Sequence, residues 1–376
     1  MAESDSREFM QKREYEKTFW EKVGKPKHVL APMVDLSELP FRLLCRKYNC
    51  HLTFTPMLHS RNFVEHEKYR KGYFKSCDMD KPVIAQFCGN NSNIILNAID
   101  FVKNEVTAVD LNLGCPQQIA KKGNYGAFLL QKHDEVVHLV SNITNNCDIP
   151  ITCKIRKIDE DYQKTLNLCY DLQSRNVQMI TVHGRTKEEK GINIKQCDYE
   201  IIKIIKERLS IPIIANGSIE HFDDIENCLS YTKANAVMCA EIILEKPHFF
   251  SNINANIVDI ANEYFDLFLK YESNTKYLKG HLFKMLYKYF QVHTDLRDLL
   301  NNCHTINDYL HFQTVLNEKR NTGVLTESPH RLKTVISCTH VSTVPAFTAL
   351  ADELSEIPYF GAFRSKRLRL YLGPHI

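Results

Sequence analysis

The chain has 376 residues, 44% of them hydrophobic and 25% charged, with a formal net charge of +3. That is too long for one small module, ordinary for a soluble globular protein, and less basic than a dedicated duplex binder. Thirteen cysteines occur without a single C-x-x-C pair, which supports neither a zinc ribbon nor a thioredoxin motif, so no metal site is expected. Met1-Ala2-Glu3-Ser4-Asp5 is acidic and polar, unlike a signal peptide, and no apolar run approaches the roughly 18 residues of a membrane span. The expectation is a reduced, cytoplasmic monomer that does not engage a membrane, with a nuclear share left open.

In chain order, eight short apolar segments recur at His28–Met33, Leu52–Met57, Val83–Phe87, Ala108–Leu113, Ile151–Arg156, Met179–Gly184, Ile211–Gly217 and Ala236–Glu241. Most are unbroken aliphatic runs, as parallel strands buried on both faces require. Helical patterns lie between them at Leu39–Tyr48, Ile94–Lys103, Asp134–Asn145, Tyr162–Arg175, Glu200–Arg208 and Asp223–Ser230. Eight such repeats predict an α/β protein, a (β/α)8 TIM barrel over residues 26–255, after an N-terminal extension of residues 1–25. The one long insertion, His59 to Lys81, is basic and aromatic and reads as a loop, either gripping substrate or merely at the surface; His59 and Arg61 within it are evenly balanced. From about Asn256 the alternation stops. Ile257–Tyr271, Lys276–His293, Leu296–Cys303 and Ile306–Lys319 predict a C-terminal helical domain, residues 256–376, ending in a basic tail around Arg364 and Arg367. Lys279, Lys284 and Lys288 are spaced to form one stripe, which either tracks a phosphate backbone or is a solvated face.

The run Leu111-Asn112-Leu113-Gly114-Cys115-Pro116-Gln117 sets a cysteine on a loop just past an apolar strand. Proline has no N–H for a ladder, so the strand must end there, at the barrel end where catalysis is sited. A thiol with a reference pKa of about 8.5 is mostly protonated near pH 7 and serves as acid as readily as nucleophile. Other strand ends carry Pro32-Met33-Val34, Gln86, Asn112, Lys154 and Arg156, His183-Gly184-Arg185, Asn216-Gly217-Ser218 and Ala240-Glu241. Asn216-Gly217-Ser218 suits a phosphate cradle, and Lys154 and His183 suit the anionic part of a cofactor. Read alone, Lys154 is also a candidate Schiff-base lysine.

In these blocks the chain resembles the tRNA-dihydrouridine synthases. They are Leu30-Ala31-Pro32-Met33 with Leu39-Pro40-Phe41-Arg42, Thr55-Pro56-Met57-Leu58-His59, Gln86-Phe87-Cys88-Gly89, and Asp110 through Gln117. Lys122-Gly123-Asn124-Tyr125-Gly126-Ala127-Phe128-Leu129, Lys154-Ile155-Arg156, Val182-His183-Gly184-Arg185-Thr186 and Ile214-Ala215-Asn216-Gly217-Ser218-Ile219 follow in the same order. The Thr-Pro-Met-Leu and Cys-Pro-Gln versions look most like the eukaryotic subgroup acting on D-loop positions 16 and 17.

The resemblance implies FMN as cofactor, NADPH or NADH as reductant, and a tRNA uridine as substrate, reduced to 5,6-dihydrouridine. It implies hydride delivery to C6 and Cys115 as proton donor to C5. Pro32, Met33, Val34, Gln86, Lys154, His183, Asn216, Gly217 and Ser218 would hold the flavin. Where many members of the family carry Gly-Arg this chain has Ala240-Glu241, whose backbone alone suits a phosphate. Arg156 and Arg185 divide between RNA contact and internal pairing, and Asn112 between substrate contact and bracing the loop. Lys279, Arg364 and Arg367 are further candidates for the RNA. The competing readings are a flavin barrel reducing a small molecule, as dihydroorotate dehydrogenases do, and a tRNA-binding protein with an idle barrel.

Overall fold

The computed structural model describes residues 19–328. Parallel strands β1 (His28–Leu30), β2 (Thr53–Phe54), β4 (Val83–Cys88), β5 (Ala108–Leu113), β6 (Ile151–Arg156), β7 (Met179–His183), β8 (Ile213–Asn216) and β9 (Ala236–Cys239) lie in the order β1-β9-β8-β7-β6-β5-β4-β2. A parallel bridge between Val29 and Leu52 joins β1 to the chain entering β2 and closes the barrel. The short β3 (Leu58–His59) pairs with the far end of β4. The predicted (β/α)8 barrel is therefore present, and its strand carboxyl ends share one face.

β7 and β9 stop one and two residues short of their predicted ends at Gly184 and Glu241, and β1, β2 and β8 are shortened for one shared reason. Proline interrupts the ladder at Pro32 after β1, at Pro56 after β2 and at Pro212 before β8. β5 and β6 match their predicted bounds because no proline interrupts them. Helix starts follow side-chain caps: Asn91 accepts from Ile94 N, Asp161 from Gln163 N, and Asp198 from Glu200 N and Ile201 N.

The insertion after β2 departs from the loop expected of it. It folds as β3 and two short helices, Ser60–Glu65 and Glu67–Tyr73. Phe63 is the reason, buried with its ring 5.1 Å from Phe87 of β4. Arg61, Lys68, Lys71 and Lys75 are exposed, while Arg70 donates to Phe63 O at 2.7 Å and lies over the Phe101 ring.

After the barrel come helices Ile257–Lys270, Thr275–Met285, Tyr287–Phe290, Thr294–Asn301 and Ile306–Asn321. The single helix predicted over Lys276–His293 is two, divided at Leu286, whose φ −94 and ψ 11 leave the helical region. The helix Ile257–Lys270 packs on Leu39–Lys47 of the barrel wall through Phe41, Tyr264, Phe265 and Phe268, all buried. Full burial of each such ring contributes about 1.5–3 kcal/mol. A polar latch lies inside this apolar contact. Tyr264 Oη donates to Glu38 Oε1 at 2.5 Å, and His281 Nε2 lies 3.0 Å from Glu38 Oε2 with its ring stacked on Phe41 at 3.9 Å. Burial would push the Glu38 carboxyl up, but the charge and hydrogen bond of His281 and the Tyr264 hydroxyl hold it below the ordinary value.

Candidate active site

Strand register sets the site. Gln86 lies beside Asp110, Asn112 beside Lys154, and Arg156, His183 and Asn216 form one row across β6, β7 and β8. These pairs place the predicted polar groups of five strands at one mouth.

Cys115 is half-buried on the turn between β5 and the short helix Gln118–Lys122. Its N–H is held by Asn112 Oδ1 at 2.9 Å, which also accepts from Gly114 N at 3.2 Å. Its carbonyl accepts from Ala127 N at 3.0 Å, at the end of the turn over residues 123–127. Gly126 in that turn has φ +61, and a Cβ there would meet Cys115 O at 2.7 Å, so only glycine permits the approach. Tyr125 packs with Cys88 and Ala120 beneath the thiol, with Met57 and Phe128 alongside.

Arg156 Nε donates to Gly114 O at 2.9 Å and its Nη1 to Thr186 O at 2.9 Å, tying the cysteine loop to the loop after β7. Lys190 from that second loop donates to Pro116 O. These contacts tie Arg156 to two backbone carbonyls, and Asn112 Oδ1 holds two N–H groups of the cysteine loop.

Across the mouth, Lys154 Nζ donates to Asn216 Oδ1 at 2.9 Å, and Asn216 Nδ2 donates to Met238 O at 2.9 Å. Arg185 Nη1 donates to His183 Nε2 at 3.2 Å and its Nη2 to Ser218 Oγ at 2.7 Å. Burial, then the cations Arg156, Lys154 and Arg185, hold His183 well below its ordinary pKa, so the imidazole is neutral. Gly217 (φ +117) and Ser218 (φ +54) are consecutive residues of positive φ after β8, as in a turn that exposes backbone N–H groups.

Gln86 is fully buried, and both ends of its amide are engaged, with Asp110 and with Asn112. Met33 is buried and its N–H is held by Ser37 Oγ at 3.0 Å, while Pro32 and the exposed Val34 flank it on the same barrel face. Ala240 precedes the short helix Glu241–Glu245, and Glu241 is exposed. Lys279 departs from the solvent-facing stripe expected of it: it is buried, and its Nζ donates to Asn301 O at 2.9 Å, the last carbonyl of helix Thr294–Asn301. An unsatisfied helix-end carbonyl draws the ammonium inward. Arg364 and Arg367 lie outside the described residues.

The sequence reading passed over Asp110, Thr152 and Lys190. Asp110 carried a signal, since a carboxylate two residues before Asn112 shares its strand face and needs a partner there. Lys190 carried none, because its contact depends on how two loops meet.

A profile of the dihydrouridine synthase (Dus) family matches residues 29–332. The chain belongs to the dihydrouridine synthase family. It is 37% identical over 321 residues to the tRNA-dihydrouridine(16/17) synthase [NAD(P)(+)] of Schizosaccharomyces pombe, covering 81% of this chain and 80% of that one. It is 39% identical over 291 residues to the mouse tRNA-dihydrouridine(16/17) synthase [NAD(P)(+)]-like protein, covering 77% of this chain. The match spans 61% of the mouse relative's length and 66% of the rat relative's. A human tRNA-dihydrouridine(20a/20b) synthase [NAD(P)+]-like protein is 36% identical over 268 residues, covering 70% of this chain and 83% of that one. Among solved structures, morphinone reductase in complex with tetrahydroNAD overlaps 59% of this chain and 85% of its own, with a TM-score of 0.42 and 10% identity. Among the described residues no cluster of side chains is suited to a metal ion, and no helix is long and apolar enough to cross a membrane.

Proposed function

We propose that this member of the dihydrouridine synthase family reduces a uridine of the tRNA D-loop, at position 16 or 17, to 5,6-dihydrouridine. The observation that carries this reading is the Cys115 loop, fixed by Asn112 and Arg156 at the barrel mouth that Lys154, His183 and Asn216 share. The position follows relatives named for 16/17, which match over more of this chain than the relative named for 20a/20b.

The donor set fits a flavin mononucleotide. It offers a lysine cation, an amide, a neutral imidazole and a positive-φ turn for the phosphate, and Thr181 Oγ1, beside Lys154 in register, is buried with no hydrogen-bond partner among the described residues. Lys154, His183, Asn216, Gly217 and Ser218 would hold the group, with Lys154 countering its negative charge. When bound and reduced by NADPH or NADH, the flavin supplies hydride for uracil C6.

The chain's own part is the proton. Hydride addition at C6 leaves an enolate that must be protonated at C5, and the Cys115 thiol gives that proton. Its thiolate is then reprotonated from solvent, so the thiol is unchanged over a cycle. The tRNA must also expose the base, at a cost of a few kcal/mol that its contacts with the protein offset.

The test is tRNA from cells lacking the gene. Loss of dihydrouridine from the D-loop, restored by the wild-type protein, is the expected result. An unchanged dihydrouridine content refutes the reading.

A further inference from the structure

Beneath the Cys115 loop, β4, β5 and β6 contribute a continuous line of polar side chains. Thr152 Oγ1 donates to Asp110 Oδ1 at 2.6 Å, and Gln86 Nε2 donates to Asp110 Oδ2 at 2.9 Å. Asn112 Nδ2 donates to Gln86 Oε1 at 2.8 Å. Asn112 Oδ1 then accepts from the backbone N–H groups of Gly114 and Cys115 at 3.2 and 2.9 Å. Thr152, Asp110 and Gln86 are each buried from solvent.

An amide has a donor end and an acceptor end, and its neighbours decide which points where. An ionised carboxylate only accepts. Asp110 therefore draws the NH2 of Gln86 toward itself and turns its carbonyl to Asn112. That turns the NH2 of Asn112 inward and its carbonyl to the loop. We propose that Asp110 is a positioning residue: acting through Gln86 and Asn112, it fixes the amide orientation that holds the Cys115 loop. Its consequence for catalysis rests on the reading of Cys115 as proton donor; its effect on the loop rests on the hydrogen bonds alone.

Reversing the line exposes the dependence. In Asp110→Asn, the substituted amide keeps accepting from Thr152 only by turning its own NH2 toward Gln86. Both downstream amides then reverse, and Asn112 sets donors against the N–H groups of Gly114 and Cys115. Keeping the native direction instead leaves the Thr152 hydroxyl hydrogen without its acceptor. The exchange Asp110→Asn with Asn112→Asp removes the conflict. The carboxylate at position 112 accepts from the loop and from Gln86, the Gln86 carbonyl accepts from the amide at position 110, and that amide accepts from Thr152.

The experiment measures amide hydrogen exchange in the peptide spanning residues 113–117 of the full-length protein with its flavin, at pH 8. Burial pushes the Asp110 carboxyl up to about 6, so the group is ionised there. Exchange at least fivefold faster than wild type is expected in Asp110→Asn, and a return to within about twofold in the exchanged double variant. Turnover of uridine is expected to follow the same order, with kcat falling and KM for tRNA unchanged. Wild-type exchange in Asp110→Asn, or exchange in the double variant as fast as in Asp110→Asn, overturns the proposal. If Asp110→Asn does not fold, the double variant is compared with Asn112→Asp alone, which leaves the Gln86 carbonyl facing a carboxylate. Slower exchange in the double variant supports the proposal, and equal exchange overturns it. The exchange pattern together with full uridine turnover by Cys115→Ala would leave Asp110's role standing and remove the acid reading. Lost turnover in Asp110→Asn with an unchanged loop would remove the positioning role and leave the acid reading.

Discussion

At Cys115 the backbone is held from both sides, by Asn112 on its N–H and by Ala127 on its carbonyl, so the thiol rides on a fixed loop. Two residue-level outcomes follow. Gly126→Ala brings a Cβ to 2.7 Å from Cys115 O at a φ of +61, costing about 1–3 kcal/mol in strain. It should lower both thermal stability and uridine turnover, and unchanged values for both would contradict the contact. The second concerns pH. Burial raises the Asp110 carboxyl to about 6, with hydrogen bonds from Thr152 and Gln86 and the charge of Lys154 opposing. The folded protein thus binds more protons than the unfolded chain between about pH 4 and 6. Stability contributed by this group is present below about pH 4 and is lost as pH rises through about 6, on the order of 3 kcal/mol in all. Denaturant titrations across that range should show the fall in wild type and a flatter profile in Asp110→Asn. Equal profiles would contradict a buried, ionising Asp110. The cysteine's place was legible, because Cys–Pro after an apolar run leaves one outcome. The occupation of Arg156 was not, since a side chain's partner depends on which loops meet above it.

Among the elements, strands were legible wherever apolar runs had no competing residue, as in β5 and β6. Prolines trimmed β1, β2 and β8, and the trimming could have been read from Pro32, Pro56 and Pro212 themselves. The charge of the insertion hides its anchor Phe63, whose pairing with Phe87 is long-range. The barrel and the helices after it are joined at Glu38, which no local pattern marked. Tyr264→Phe removes a hydroxyl that donates to a buried carboxylate, and should cost about 1.5–3 kcal/mol. Because Glu38 is held below its ordinary value, its stabilisation is present above about pH 4.5 and fades as pH falls through the lower folded value. The penalty of Tyr264→Phe should therefore shrink on acidification, which melting curves at pH 7 and below 4 would show; a pH-independent penalty would contradict the latch.

For the whole molecule, membership in the dihydrouridine synthase family and a barrel whose mouth gathers Cys115, Lys154, His183 and Asn216 support one activity. On the proposed function, a net charge of +3 leaves tRNA attraction to local patches rather than to the chain as a whole. Replacing Arg364 and Arg367 together by Ala should reduce the slope of log affinity for tRNA against log salt by about 1–2. An unchanged slope would remove both from the RNA contact. The measurement that bears most directly on the account uses the purified protein with its flavin, NADPH and a tRNA transcript lacking modifications, with dihydrouridine mapped at each position. Wild type should form dihydrouridine at position 16 or 17, and Cys115→Ala should oxidise NADPH yet form none. Product formation by Cys115→Ala at the wild-type rate, or none by the wild type, would contradict the account.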